Sequence, residues 1–285
     1  MEKGPDRDLI RMRHALLSLV NDLGAFLDEF GMEPAADSLA AKEQEESSKG
    51  EQLLAAYSQG HLLLESAADH AIALARLLEE PVTTMAPWTC MRAGIESAAM
   101  SCWLLSSQIT AAERISRSFA FRYDGLSQQL KCARTSNNMG AVRDILARMD
   151  ETEAQALSLG YQPILDKKNK RAGIGQRMPS ATQCVATILD EEKLYRISSA
   201  VVHAHPWALI QVGFHAPDPN RPDMLKKSLS KTSAALFLLT ALDFLAKPAW
   251  AEALLFGYNP RLLSGILERR YEEMGIDKCR RFWTC

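Results

Sequence analysis

The feature that most constrains the fold is a helical pattern that extends along almost the whole chain. Its clearest stretch, EQLLAAYSQGHLLLESAADHAIALARLL, starts at residue 51 and is apolar over most of its circumference when plotted as a helix. A helix with so little polar surface is normally enclosed by other helices. Alternating β-branched runs are scarce, and Ala and Leu dominate the sequence. We therefore expect an all-α fold with a helix at about 51–79 in its middle.

Hydrophobic spacing, capping residues and prolines place the remaining helices. Thr110 and Glu113 form the pattern of a capping box, and Pro87 suits the first turn of a helix. Helices are predicted at about 7–30, 84–106, 110–134, 138–158, 181–189, 191–204, 223–246 and 248–274, the last range as one helix or two. The sequence thus predicts a single helical bundle of about eight or nine helices.

Two stretches lack this pattern and divide the chain. Residues 31–50 are predicted to be mainly a linker with at most one short helix, and residues 160–180 a loop rich in Gly, Lys and Arg. The expected organisation is an N-terminal helix and linker at 1–48, the bundle at 49–250 and a C-terminal helical extension at 251–285 that packs on the bundle.

The composition fits a folded protein without a strongly charged surface. Hydrophobic residues make up 47% of the 285 residues, which is enough for a sizeable core, and the formal net charge is −2. A protein that coats nucleic acid is normally more basic, so any contact with nucleic acid is expected to be local. The basic run KKNKR, residues 167–171, would attract a polyanion if it lay beside the helix at 191–204.

Three features favour a cytoplasmic location. The six cysteines are scattered and form no CxxC pair, which is typical of a reducing compartment and unlike a zinc site. The first residues, MEKGPDRDLIRMRH, lack the apolar core of a signal peptide. The longest apolar run, AALFLLTALDFLAKPAW, is interrupted by Asp243 and Lys247, and we interpret it as too short and too charged to cross a bilayer. We therefore expect no contact with a membrane.

The segment YRISSAVVHAHPW, residues 195–207, carries the main candidate for chemistry. Arg196, Ser199 and His203 are spaced i, i+3 and i+7, so the three side chains share one face of a helix. Arginine offers a planar fork suited to phosphate, and histidine can move protons near neutral pH. Together they could bind and polarise a phosphodiester. The alternative interpretation is structural, with Arg196 paired to a carboxylate in the core and His203 at the helix end as a cap.

Charged residues on the apolar helices form a second candidate. They are Glu65, Asp69, Arg92, Glu96, Glu113 and Arg117. Because charged side chains are rarely buried without partners, we expect these six to meet inside the bundle. Two interpretations stay open, an ion-pair network that sets the helix register and a polar pocket that also receives Arg196 and His203.

The sequence shows no motif for a metal or a cofactor. It has no Walker loop, no GxGxxG and no GxSxG. His61, Glu65 and Asp69 lie in one row of a helix, but the core helices contain no ExxH pair of the di-iron bundles. We therefore expect neither a metal nor a cofactor.

The stretch Arg196–ISSAVV–His203 resembles the R-x4-6-H signature of HEPN domains, which are all-α bundles. A wider pattern, similar to that of related bacterial helical families, extends the resemblance over about residues 50–250. It consists of Pro87, Arg92, Glu96, Trp103, Glu113, Arg114, Pro179, Ser180, Tyr195, Arg196, Ser199 and His203.

Many HEPN domains are metal-independent ribonucleases of toxin–antitoxin and phage-defence systems. The resemblance therefore implies a homodimer that cleaves RNA, with an antitoxin protein as a further partner. It implies that Arg196 holds the scissile phosphate while His203 assists attack by the ribose 2′-OH. We assign Arg196, His203 and Ser199 as candidate catalytic residues. The candidate binding residues are Arg92, Glu96, Glu113, Arg117, Asp69, Tyr195 and His205.

Two other classes of function remain compatible with the sequence. One is a non-enzymatic helical module whose buried charges bind a small ligand or hold a dimer together. The other is an enzyme that acts on a small molecule inside the bundle, with His203 or His70 as the acid–base group.

Overall fold

The protein is described by a computed structural model at residues 7–31, 33–46, 49–218 and 221–276. These residues form eleven α-helices and two short β-hairpins, so the predicted all-α class is confirmed. The helices are α1 (Arg7–Phe30), α2 (Leu39–Glu46), α3 (Gly50–Leu77), α4 (Ala86–Leu105), α5 (Ala111–Thr135), α6 (Met139–Ser158), α7 (Ala181–Cys184), α8 (Glu192–Val202), α9 (Pro206–Gly213), α10 (Lys231–Phe256) and α11 (Pro260–Glu273). A π-helical turn, Val185–Leu189, follows α7.

Local capping by polar side chains sets the starts of several helices. Thr110 caps α5, because its side-chain oxygen accepts a hydrogen bond from the backbone N–H of Glu113 at 3.2 Å. Asn138, Ser230 and Asn259 cap α6, α10 and α11 in the same manner. The helix starts predicted near residues 110 and 138 are therefore confirmed.

Helices α3, α4 and α10 form the centre of the bundle. Helix α4 packs against both α3 and α10, and α1, α5 and α8 pack around this centre. Glycine allows close packing at two positions of this centre: an added Cβ at Gly60 would lie 2.4 Å from Leu105, and one at Gly94 would lie 2.5 Å from Phe244. The predicted central position of the helix at 51–79 is thus confirmed.

The predicted count of eight or nine helices is too low, since the described residues form eleven. The short helix that was allowed for in the predicted linker is α2, whereas α9 begins at Pro206, which was expected to end the helical segment. Proline suits the first turn of a helix because the N–H that it lacks has no intrahelical partner there. The break expected near Lys247 is absent, since α10 continues through Pro248 and also contains the expected boundary at residue 250.

Burial explains why α10 tolerates an internal proline and two charged residues. Pro248 lies among buried side chains, whose packing outweighs the roughly 3 kcal/mol that an internal proline costs. Asp243 accepts a hydrogen bond from the hydroxyl of Tyr271 at 2.7 Å, and Lys247 donates one to the carbonyl of Leu189 at 2.6 Å. The two charges that appeared to interrupt the apolar run are therefore satisfied within the fold.

Among the described residues, α10 alone is long and apolar enough, by length and composition, to cross a membrane. In the structure, 61% of its most apolar stretch is buried inside the bundle. The expectation that this run is too short was wrong, because the helix continues past Pro248 to 26 residues.

The two hairpins were not predicted. Strands β1 (Pro163–Leu165) and β2 (Arg171–Ile174) pair antiparallel within the predicted loop at 160–180, and β3 (Phe214–Asp218) pairs with β4 (Arg221–Lys227) between α9 and α10. Strands of three to seven residues carry too little alternation to stand out in the sequence. Asp166 shapes the first hairpin turn by accepting backbone hydrogen bonds from Lys168 and Lys170, and these bonds lower the pKa of its carboxyl.

Candidate functional site

Helix α8 presents its candidate catalytic residues to solvent. Tyr195, Ser198 and Val201 are buried on the side of α8 that packs on α4. Arg196 and His203 are exposed, and Ser199 is half-buried. The side chain of Arg196 is 65% exposed, and its partner is Glu192, one turn earlier, at 2.6 Å between Nη2 and Oε1. The alternative in which Arg196 pairs with a core carboxylate is therefore wrong.

A second histidine lies in the tight turn between α8 and α9. His203 is the residue at which α8 ends, and its backbone N–H donates to the carbonyl of Ser199 at 3.0 Å. Ala204 adopts a left-handed conformation with φ of 54°, which turns the chain sharply into α9. The rings of His203 and His205 come to 6.4 Å between centroids, and both residues are exposed.

Exposed apolar side chains flank the two histidines along the chain. Val202 precedes them, and Trp207 and Ile210 follow at i and i+3 of α9, so that these last two share one face of that helix. Trp207 is 55% exposed, which is unusual for so large an apolar side chain. The turn thus combines two exposed histidine rings with exposed apolar surface.

Tyr195 anchors α8 to α4 beneath this face. Its hydroxyl donates to the carboxylate of Glu96 at 2.6 Å, and Arg92 lies 3.4 Å from the same hydroxyl and stacks over the ring. Arg92 and Glu96 are also joined directly, at 3.1 Å. Burial, supported by the hydrogen bond to Glu96, raises the pKa of Tyr195. Three of the predicted binding residues therefore form one cluster that holds α8 in place.

The other predicted binding residues do not join this cluster. Glu113 and Asp69 are exposed, as is Glu65. Arg117 pairs with Glu113 on its own helix and donates to the carbonyl of Trp103 at 2.5 Å. The prediction that six charges meet inside the bundle is wrong, because three of the carboxylates face solvent and the arginine that α5 buries is Arg114.

The buried ion pair of the bundle joins Arg114 to Glu43. The guanidinium binds both carboxylate oxygens, at 2.9 and 3.0 Å, and also donates to the carbonyls of Leu104 and Ser106. The hydroxyl of Tyr57 donates to the same carboxylate at 2.7 Å, and burial raises the pKa of this phenol. Glu43 was not predicted as a partner because it lies in the segment interpreted as a linker. Ser38 is the usable signal there, since it caps α2 by accepting from the N–H of Ala41.

A histidine–carboxylate pair joins α3 to α10 and was also missed. Nδ1 of His61 lies 3.0 Å from Oε1 of Glu252, whose side chain is only 1% exposed. Nε2 of the same ring lies 3.9 Å from Glu65. The hydrogen bond to Glu252 raises the pKa of His61, although burial opposes the shift, and the charges of Glu65 and Asp28 add to it.

This pair makes the stability of the protein depend on pH. Because the pKa of His61 is higher in the folded than in the unfolded protein, its stabilising effect is complete below the unfolded pKa of about 6.5 and is lost as the pH rises through the folded pKa. We expect the free energy of unfolding to fall with a slope of at most about 1.4 kcal/mol per pH unit over that interval. Urea unfolding between pH 5 and 9 measures this slope. An unchanged slope in His61→Gln would contradict the assignment.

The basic hairpin lies with α5 and α6. Strand β2 packs on α5, and Arg171 pairs with Asp150 and Glu153 of α6, at 2.9 Å in each case. Helix α8 packs instead on α4, α7 and α9. The run KKNKR was expected to attract a polyanion only if it lay beside α8. These contacts do not support that position.

The structure and the comparisons define the protein only as a class. Comparison with protein-family models, with curated proteins and with solved structures found no match. Within the described residues, no three His, Cys, Asp or Glu side chains are grouped as a metal site requires. Cys279 and Cys285 lie outside those residues. The protein is thus an all-α bundle with an exposed Arg–His face on α8.

Proposed function

We propose that the protein is a metal-independent endoribonuclease related to the HEPN superfamily, as found in toxin–antitoxin and phage-defence systems. The HEPN-like core would lie within residues 49–250. The observation that carries the proposal is the exposure of Arg196 and His203, which lie seven residues, or two helical turns, apart on α8 and at its C-terminal end. A cytoplasmic location fits this function.

The partner of Arg196 does not prevent phosphate binding. Glu192 is 46% exposed, and such surface pairs contribute only about 0–1 kcal/mol. A phosphate, in contrast, accepts two parallel hydrogen bonds from a guanidinium and carries charge of its own. Arg196 can therefore exchange Glu192 for a phosphate at little cost.

Two subunits supply the acid and the base in this mechanism. Arg196 binds the nonbridging oxygens of the scissile phosphate. His203 of one subunit accepts the proton of the ribose 2′-OH as this oxygen attacks phosphorus, and His203 of the partner subunit donates a proton to the departing 5′-oxygen. A 2′-O–P bond forms while the P–O5′ bond breaks, so the products carry a 2′,3′-cyclic phosphate and a 5′-OH.

The exposed apolar side chains around His203 support a homodimer at the same face. Val202, Trp207 and Ile210 flank the turn that carries His203, and contact with a second copy would remove them from water. A two-fold axis through this surface would bring the two Arg196–His203 pairs to one cleft. An antitoxin protein that covered the face would block the cleft.

We expect the purified protein to cleave single-stranded RNA in the presence of EDTA, and Arg196→Ala and His203→Ala each to reduce cleavage to background. Gel analysis of labelled RNA measures the rate, and phosphatase resistance identifies the cyclic phosphate. Arg143→Ala and His14→Ala are matched controls, because both residues are exposed on other helices. Cleavage that EDTA abolishes, or that survives in both site variants, would refute the proposal.

A non-enzymatic helical module is the second candidate. The observation that favours it is the mutual satisfaction of Arg92, Glu96 and Tyr195, which needs no ligand to complete it. Under this alternative, His203→Ala leaves both partner binding and stability unchanged, whereas Tyr195→Phe loosens α8.

The third alternative is an enzyme that acts on a small molecule inside the bundle. His203 is no longer a candidate acid–base group for it, since His203 lies at the surface and not inside the bundle.

A further inference from the structure

A small polar pocket lies between α3, α5 and α6, on helices that do not contribute to the Arg196–His203 face. Its volume is about 170 Å³. Ala55 and Phe119 supply the apolar part of its lining. The polar part consists of Glu51, Gln52, Gln59, Ser118, Arg122 and Gln155.

The volume limits the size of the ligand. Sites for drug-sized molecules have volumes of about 300–1,000 Å³, which is well above this one. A single water occupies about 30 Å³ of liquid, so the pocket has room for more than an isolated water. A metabolite with about ten non-hydrogen atoms is the size that fits.

Two side chains of opposite charge, Glu51 and Arg122, line the pocket but do not form an ion pair with each other. Glu51 belongs to the first turn of α3, and Arg122 belongs to α5. No ion pair within 4 Å joins these two described residues, and Arg122 has only a long hydrogen bond, 3.4 Å from Nη1 to Oε1 of Gln155. A ligand with both an ammonium and a carboxylate would pair with both side chains.

Besides Glu51 and Arg122, a third side chain of the pocket could recognise a ligand, and this is the amide of Gln59. Glu51, Ala55 and Gln59 form one row on α3 at i, i+4 and i+8, so Gln59 lies about 12 Å beyond Glu51 along the helix. Oε1 of Gln59 is buried and has no hydrogen-bond partner in the described structure. A buried amide oxygen without a partner costs about 1–3 kcal/mol, so a ligand that donates to it gains binding free energy.

We propose that this pocket binds a free α-amino acid with a carboxamide side chain, such as L-glutamine. Arg122 binds the α-carboxylate and Glu51 the α-ammonium group. Ala55 and Phe119 contact the side-chain methylenes, and the carboxamide N–H₂ of the ligand donates to Oε1 of Gln59. This inference does not depend on ribonuclease activity, because the pocket and the α8 face share no residue.

Calorimetric titration of the intact protein with L-glutamine tests the proposal. We expect saturable one-to-one binding that is weaker for L-glutamate, which lacks the N–H₂ donor, and for L-leucine, which lacks a polar side chain. Arg122→Ala and Gln59→Leu should each weaken binding roughly 10- to 100-fold. Arg134→Ala and Gln129→Leu are matched controls on exposed parts of α5 and should bind like the parent.

Each outcome of the titration decides for or against the pocket. Binding that L-leucine reproduces with equal affinity would show that the amide is not recognised. Binding that survives Arg122→Ala, an exposed substitution that leaves the core intact, would place the ligand elsewhere. No heat and no rise in melting temperature at millimolar L-glutamine, with the far-ultraviolet circular dichroism of a folded bundle, would overturn the proposal.

Discussion

Replacing Glu43 with alanine is expected to lower the free energy of unfolding by about 3–5 kcal/mol. Arg114 is fully buried, and Glu43 supplies the only carboxylate that binds its guanidinium among the described residues. The substitution leaves a positive charge inside the bundle with only the carbonyls of Leu104 and Ser106 as partners. Because many domains are stable by only 5–15 kcal/mol, the loss is a large fraction of the total. Urea unfolding followed by circular dichroism measures it.

The matched control removes both charges together. In Glu43→Leu combined with Arg114→Met, no charge remains buried without a partner, so we expect much of the lost stability to return. The double variant also loses the acceptor of Tyr57, so the recovery should be incomplete. If Glu43→Ala alone unfolded at the same urea concentration as the parent, the assigned ion pair would be wrong.

The same substitution should have opposite effects at two helical glycines. Gly94→Ala is expected to destabilise the protein by about 1–3 kcal/mol, because the new methyl group would lie 2.5 Å from the ring of Phe244, which is itself buried in α10. Gly125→Ala is expected to stabilise it by about 0.5–1 kcal/mol, since no atom lies within 4 Å and alanine favours the helix. Thermal and urea unfolding of both variants measure the difference.

Gly125→Ala also serves as the control for helix propensity in this pair of variants. Both glycines lie inside long helices, so the gain in propensity is the same and only the contact differs. Equal stabilisation by the two substitutions would show that α4 and α10 are not as close as the structure places them.

Local patterns were sufficient for the start of α5. This start followed from Thr110 and Glu113, because a capping hydrogen bond joins residues three positions apart and needs nothing from the rest of the fold. The common face of Arg196 and His203 is a prediction that rests on helical spacing in the same way. Burial decided the result at Pro248. Proline normally ends or kinks a helix, but packing of the surrounding side chains lets α10 continue through it.

The charged residues show where local reasoning fails. Arg117 was predicted to lie in the interior, whereas the structure buries Arg114. These residues are only three positions apart, and nothing in the sequence around them says which side of α5 meets α3. Ser38 offered a sign of α2, but no local signal could have shown that Glu43 reaches across to α5.

The all-α class and the central helix could be predicted from the sequence alone, because they depend on hydrogen bonds and spacings within a few residues. The pairs Glu43–Arg114 and His61–Glu252, and the position of Gln59 in a pocket, became visible in the tertiary structure. The members of these pairs lie 71 and 191 residues apart in sequence. Such partners are chosen by how helices pack side by side, and helical periodicity carries no information about which faces will meet.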